Sequence, residues 1–295
     1  MNLPEIREAD AAPRIGAIYA DIRAVSGVPV VNFVWRHLAT VPGALDWAWE
    51  GCRPIIASEQ MQEARARLAA GIRLSVPQLA DWRAAGMDAA AQIHIGTIAA
   101  AYVRGNLTNL LALRALRKRL LEPDAASARL SPRGDVEPVA PPLDPLPRMT
   151  ELTPQVADLV RNLAARHGAV EGVVPSIYLH LAPWPELLRA LPDWLSGLLE
   201  PQCLAVAAHA TRALADQETA KLLPTLAPPP PASRDAIEYA LEFFGGRLIP
   251  DLLPVCLAIE KLATPPHASC LSAPSDICGA RCSRGRAART YASRL

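Results

Sequence analysis

The chain has 295 residues, room for one large or two ordinary domains with a sizeable core. Its formal net charge is +1, so nothing draws it as a whole toward nucleic acid or an anionic membrane. Hydrophobic residues reach 51% of the chain. Yet no apolar run approaches the roughly 20 residues of a membrane span. The opening MNLPEIREADAAP is acidic and lacks the apolar stretch of a secretory signal, so a cytoplasmic protein is expected.

Ala, Leu and Arg dominate while Phe and Tyr are scarce, a balance that favours helix over strand. EIREADAAPRIGAIYADIRAV places Ile6, Ile15, Ile18, Ile22 and Val25 at helical intervals. SEQMQEARARLAAGIRL and VPQLADWRAAGMDAAAQIHIGTIAAAYVRGNLTNLLALRALRKRL continue the pattern, and no segment shows sustained period-2 alternation. The fold class is therefore all-α. Residues 121–154 contain eight prolines, which cannot form one helix and read as a semi-extended, Pro-rich linker. LLPTLAPPPPASRDAIEYALEFF repeats the device, with Ser233 as the N-cap of the next helix.

Past Leu262 the tail has five arginines, one acidic residue and no apolar periodicity, and is expected to be disordered. Cys270, Cys278 and Cys282 cluster there without metal-site spacing. Cys52, Cys203 and Cys256 stand singly in apolar helical contexts and read as buried, inert thiols.

A phrase occurs twice. Leu38-Ala39-x-x-Pro42-x-x-Leu45 matches Leu181-Ala182-x-x-Pro185-x-x-Leu188, and Asn109-Leu110-Leu111 matches Asp251-Leu252-Leu253. The two offsets agree within one residue, and the period far exceeds the roughly 20 to 50 residues of a solenoid repeat. Duplication of a helical unit follows, giving two homologous halves that form an intrachain pseudo-dimer. The expected division is 1–120 for the first repeat, 121–154 for the linker, 155–262 for the second repeat and 263–295 for the tail.

No Walker loop, G-x-G-x-x-G, H-E-x-x-H or G-x-S-x-G is present, and nothing calls for a cofactor or a metal. Function must come from polar residues that interrupt apolar faces. Asn32 lies among Val30, Val31 and Phe33; Asn106 and Asn109 follow Gly105; Ser176 and His180 lie in the second copy of the phrase. Singly, such residues commonly cap helices or satisfy backbone groups. His37, His94 and His167 have no partner at a diagnostic spacing, and His180 alone reads as a satisfied histidine rather than a base. Together, at equivalent levels of a pseudo-dimer, the polar residues can converge on one apolar pocket.

DIRAVSGVPVVNFVWRHLATVPGALDWAW, YVRGNLTNLLALRAL and VPSIYLHLAPWPELL, in this order, resemble the group I 2-haloacid dehalogenase family, which acts on both D- and L-2-haloacids. The resemblance covers about residues 15–262. It implies an all-helical pseudo-dimer in which an aspartate activates a water that attacks the halogen-bearing carbon directly, inverting configuration without a covalent ester. Carried over, Asn106 matches the water-positioning asparagine, Phe33 an aromatic pocket wall, and Ser176 the serine preceding the catalytic aspartate. Ile177 stands where that aspartate is expected, and Val30 replaces a pocket tryptophan. Asn32 would face Asn106, and Ile249 and Leu252 would line the pocket from the second half.

Isoleucine cannot take a proton from water, so a substitute base is needed. Glu171, His180 and His167 are the candidates. Two functions follow: a hydrolase acting on a short 2-halocarboxylic acid through a relocated base, or a diverged relative binding or transforming another small carboxylic acid. A homodimer is compatible with either, and no nucleic acid or membrane partner is implied. A weaker resemblance links the Val-Pro…Leu-Ala…Pro phrase to the alkylhydroperoxidase-D and carboxymuconolactone-decarboxylase group. Its redox members need a C-x2-C, absent here.

Overall fold

The computed structural model describes residues 3–74, 80–134, 140–167 and 173–264. The expectations for Glu171 and for the tail with Cys270, Cys278 and Cys282 lie outside those residues. Among the described residues the ordered elements are helices, with no strand and one isolated bridge between Ser58 and Pro132.

Helix α1 (Pro13–Ser26) starts at a proline, whose missing amide costs nothing in the first turn. It ends at Gly27, whose φ of 64° closes it in the left-handed region. The helical reading from Glu5 therefore begins too early. Ile6 lies ahead of α1, its N–H donating to Arg36 O and its carbonyl accepting the Tyr19 hydroxyl at 2.9 Å. Next come α2 (Phe33–Leu38), α3 (Ala44–Ile56) and α4 (Glu59–Gly71), the last capped by Ser58, which accepts from Met61 N–H. The 33-residue α5 (Ala89–Leu121) is about 50 Å long at the standard rise. Of the helical run expected from Val76, residues 75–79 lie outside the described residues, and Gly86, at φ 82°, with the Asp88 cap sets the start of α5 at Ala89. Buried Arg119 closes its C-terminal end by donating to the carbonyls of Pro123, Ala125 and Pro224.

The remaining helices are α6 (Pro154–Ala164), α7 (Ser176–His180), α8 (Pro185–Trp194), α9 (Ser196–Leu199), α10 (Pro201–Thr219), α11 (Arg234–Glu242) and α12 (Ile249–Ala263). Ser233 does precede α11, but its hydroxyl donates to Pro42 O at 2.8 Å instead of capping the helix. A π-helical segment, Phe243–Leu248, joins α11 to α12. Its cause is legible in the chain. Pro250 has no N–H for the Gly246 carbonyl, and Arg212 Nη1 supplies the missing donor at 2.7 Å. Gly245 lets this segment approach α5, because a Cβ there would sit 3.2 Å from Leu113 Cβ.

The core runs along α5 and α12, which make the most extensive helix pair, with α10 against both. Each buries an apolar surface, including Leu110, Leu111 and Leu113 of α5 and Leu253, Val255 and Ala258 of α12. Cys52 and Cys256 are buried as expected, whereas Cys203 is exposed. The described part of the proline-rich stretch clings to the body. Ala128 N–H donates to Leu223 O, Arg133 N–H to Ala57 O and Ala140 N–H to Gly27 O, while Leu130, Leu143 and Leu146 pack on the core.

Candidate active site

A cavity of about 550 Å³ opens where six stretches of chain meet: 7–10, 29–36, one face of α5, the proline-rich residues 143–151, α7, and the π-helical segment with the start of α12. Its size falls in the range of ligand pockets. Tyr102 and Asn106, one turn apart on α5, share a face. Pro175, Ser176 and His180 contribute from α7, and Phe244, Leu248, Ile249 and Leu252 from the π segment and α12. Of the residues singled out from sequence, Val30, Asn32, Phe33, Asn106, Ser176, His180, Ile249 and Leu252 all line this cavity.

Ile177 does not. It is fully buried in the core behind Ser176. His167 also stays off the cavity wall. Its Nδ1 lies 3.1 Å from Asp251 Oδ2 and its Nε2 lies 2.6 Å from the Tyr178 hydroxyl, a buried chain that joins α7 to α12. The Asp251 carboxylate can only accept, so Nδ1 is the donor in that contact.

The walls are tied together. Glu8 accepts Val31 N–H at 2.8 Å and pairs with Arg23, which holds the loop bearing Asn32. Arg7 Nη2 donates to Leu146 O at 2.7 Å, fastening the proline-rich wall. Gly105 is required by close approach: a Cβ there would lie 2.9 Å from Asn32 Oδ1. Phe33 meets Phe244 edge-to-face at 5.3 Å, giving the cavity an aromatic side.

Asn106 is buried, and the only hydrogen bond of its side chain among the described residues is a long one, Nδ2 to Cys256 Sγ at 3.6 Å. Its carboxamide oxygen is left for something in the cavity. Burial pushes the Cys256 thiol up to about 12, so it is no nucleophile at neutral pH.

The most reactive arrangement is Tyr102 with His180. Tyr102 Oη lies 2.6 Å from His180 Nδ1, and His180 Nε2 lies 3.0 Å from Asp144 O. A carbonyl only accepts, so in the neutral ring Nε2 carries the proton and Nδ1 accepts from the phenol. Burial first, and then the nearby Arg36 charge, hold His180 below its ordinary value, against the raising effect of its hydrogen bond to the Asp144 carbonyl. Burial pushes Tyr102 well above the usual phenol range, while Arg36 and Ser176 pull the other way. The pair is thus a neutral imidazole whose Nδ1 accepts from a neutral phenol.

Sequence reasoning missed Tyr102, Arg36 and the 143–148 wall. Tyr102 had a signal, standing one turn before Asn106 on an otherwise apolar face. The proline-rich wall had none, because a composition that excludes helix says nothing about where the chain lies. Among the described residues no group of His, Cys, Asp and Glu can hold a metal ion, and no helix is long and apolar enough to cross a membrane.

No protein-family model matches the chain. It is 27% identical over 201 residues, 64% of this chain and 67% of the relative, to a configuration-inverting 2-haloacid dehalogenase of Alcaligenes xylosoxydans xylosoxydans. Two solved structures superpose with a TM-score of 0.73 over 89% of this chain: a D-2-haloacid dehalogenase mutant with D-2-CPA, at 16% identity and 96% of its own chain, and a D-2-haloacid dehalogenase with L-LA, at 17% and 97%. The fold is that of the D-2-haloacid dehalogenases. The sequence relationship points to 2-haloacid dehalogenases as well.

Proposed function

We propose that the protein is a hydrolase that releases halide from short 2-halocarboxylic acids by direct attack of water, with the Tyr102–His180 pair in the role that an aspartate would otherwise fill. One observation carries this reading: Asn106, with a free carboxamide oxygen, and a neutral, tautomer-fixed histidine share one largely apolar cavity. The sequence relationship to a configuration-inverting dehalogenase supports the same chemistry.

In this mechanism Asn106 holds a water beside the halogen-bearing carbon. The water gives a proton to Tyr102 Oη as the phenol proton moves to His180 Nδ1. The oxygen attacks carbon from the face opposite the halogen, and the halide leaves with the bonding pair. The product is a 2-hydroxy acid of inverted configuration, and the imidazolium returns its proton to solvent. Such a base contributes roughly 10²–10⁴-fold. The protein acts in the cytoplasm on this reading, needs no cofactor, and takes both enantiomers, as the group I resemblance implies.

The repeat is read as an intrachain pseudo-dimer. Two reciprocal contacts support it: His180 of the second half packs on Tyr102 of the first, and His37 of the first packs on Phe244 of the second. Tyr102, His180 and Phe244 of these contacts line the cavity, and the proline-rich residues 143–151 form one of its walls.

Halide assay of the purified protein with each enantiomer of 2-chloropropionate tests the proposal. Chloride release that vanishes in Asn106→Ala is the expected result; no release from either enantiomer overturns it. A second reading, a diverged binder of another small acid, draws on the burial of Ile177 at the expected aspartate position. Saturable binding without turnover identifies that case.

A further inference from the structure

We infer that Arg36 is the anchor for the substrate carboxylate, a role that rests on the cavity being the substrate site proposed above. Arg36 stands on α2 and lines the cavity, yet it is only 6% exposed. A guanidinium offers five N–H donors, and removing such a charge from water is costly unless those donors are used. Here they are not. Its Nε lies 3.1 Å from Glu5 Oε2, but out of hydrogen-bond alignment, and both atoms are buried without a hydrogen-bond partner. No other hydrogen bond to the guanidinium is made among the described residues. Glu5 balances its charge from one side, and Arg36 itself forms part of the cavity wall.

The surroundings fit an anion of matching shape. The guanidinium lies 5.8 Å from the centroid of the Phe33 ring, which limits its rotation. A planar fork of donors takes a carboxylate through two parallel bonds, and in a dry site such charge-assisted bonds are strong. Arg36, Tyr102 and His180 line the same cavity, so an acid held on Arg36 shares that cavity with the reacting pair. The second copy of the repeated phrase has Leu179 at the corresponding step, buried and apolar. An arginine kept in one copy alone suits a site that binds a single acid in a single orientation.

Titration calorimetry with propionate, which cannot release halide, and with propionamide, its neutral counterpart, tests the assignment. Wild-type protein is expected to bind propionate at least 10-fold more tightly than propionamide. Arg36→Gln should remove that preference, and Arg36→Lys should keep part of it. Glu5→Gln frees the guanidinium from its competitor and should tighten propionate binding several-fold, which guards against misreading a poorly folded Arg36 variant. Equal affinity for the two probes in wild type, no propionate binding at millimolar concentration, or unchanged propionate binding in Arg36→Gln overturns the anchor. Arg36-dependent propionate binding without halide release from 2-chloropropionate leaves the anchor standing and removes the hydrolase. Halide release with unchanged KM in Arg36→Gln does the reverse.

Discussion

His37 and His180 occupy the same step of the repeated phrase, and the contrast between them defines the site. His37 donates Nδ1–H to Pro4 O at 2.8 Å and rests against Phe244, ring centroids 5.7 Å apart. His180 donates to Asp144 O and rests against Tyr102 at 5.6 Å. Each ring is pinned by a carbonyl of a covering segment, and each meets an aromatic ring from a distant part of the chain. Two differences separate them: the second ring carries a hydroxyl, and only His180 reaches the cavity. The shared part is scaffolding. On the proposed function, the added hydroxyl makes the His180 contact an acid–base pair.

The largest predicted effect breaks that contrast. His180→Phe removes the proton acceptor and makes the second contact resemble the first; halide release should fall roughly 10²–10⁴-fold. Tyr102→Phe should act in the same direction by interrupting the relay. His37→Phe loses only the bond to Pro4, and its turnover should stay within a few-fold of wild type. Chloride assays on the three variants, with circular dichroism to confirm folding, decide the matter. Equal losses in His37→Phe and His180→Phe would show that both histidines are merely structural.

A second contrast lies deeper. Trp35 donates to Asn109 Oδ1 at 3.0 Å, a single bond between α2 and α5. At the matching positions of the second copy, Tyr178 reaches Asp251 only through His167. The shorter phenol leaves a gap that an imidazole fills. Ile177 sits beside this chain, fully buried. Ile177→Asp therefore places a carboxylate in the core before it can serve the cavity, and should cost about 3 kcal/mol or more. Asp251→Leu leaves the His167 donor unsatisfied and should cost about 1–3 kcal/mol, with little change in propionate affinity. Urea unfolding measures both, and a Leu variant as stable as wild type would show that the chain adds nothing to stability.

Much of the architecture could be read from the chain. Helical spacing and the proline run each act locally, so their consequences appear locally, whereas the caps Ser58 and Asp88 went unread and Ser233, read as a cap, bonds to Pro42 instead. The candidate site was legible wherever a polar residue interrupts an apolar face, as Asn32, Asn106 and Ser176 do. Arg36 escaped because a charged residue in a short helix reads as solvated, and only the fold reveals that it is buried. Tyr102 and His180 are 78 positions apart, and their bond exists only once α7 packs on α5. Pairing of this kind is a property of tertiary contact, with no spacing in the sequence to announce it.

The smallest effect concerns pH, and it follows from the same burial. His180 is held below its ordinary value in the folded protein, while in the unfolded chain it titrates near the usual ~6.5. Below that pH the unfolded state binds a proton that the folded state refuses. The stability contributed by His180 is therefore complete above about pH 6.5 and is lost as pH falls through the folded value, with a slope of at most about 1.4 kcal/mol per pH unit. For the same reason the neutral base persists below pH 6.5, so turnover should hold its plateau into mildly acidic conditions. Thermal unfolding between pH 5 and 8 should show the slope in wild type and a shallower one in His180→Phe. Identical slopes in wild type and His180→Phe would mean that some other group refuses the proton, and the acid–base reading of the Tyr102 contact would lose its electrostatic support.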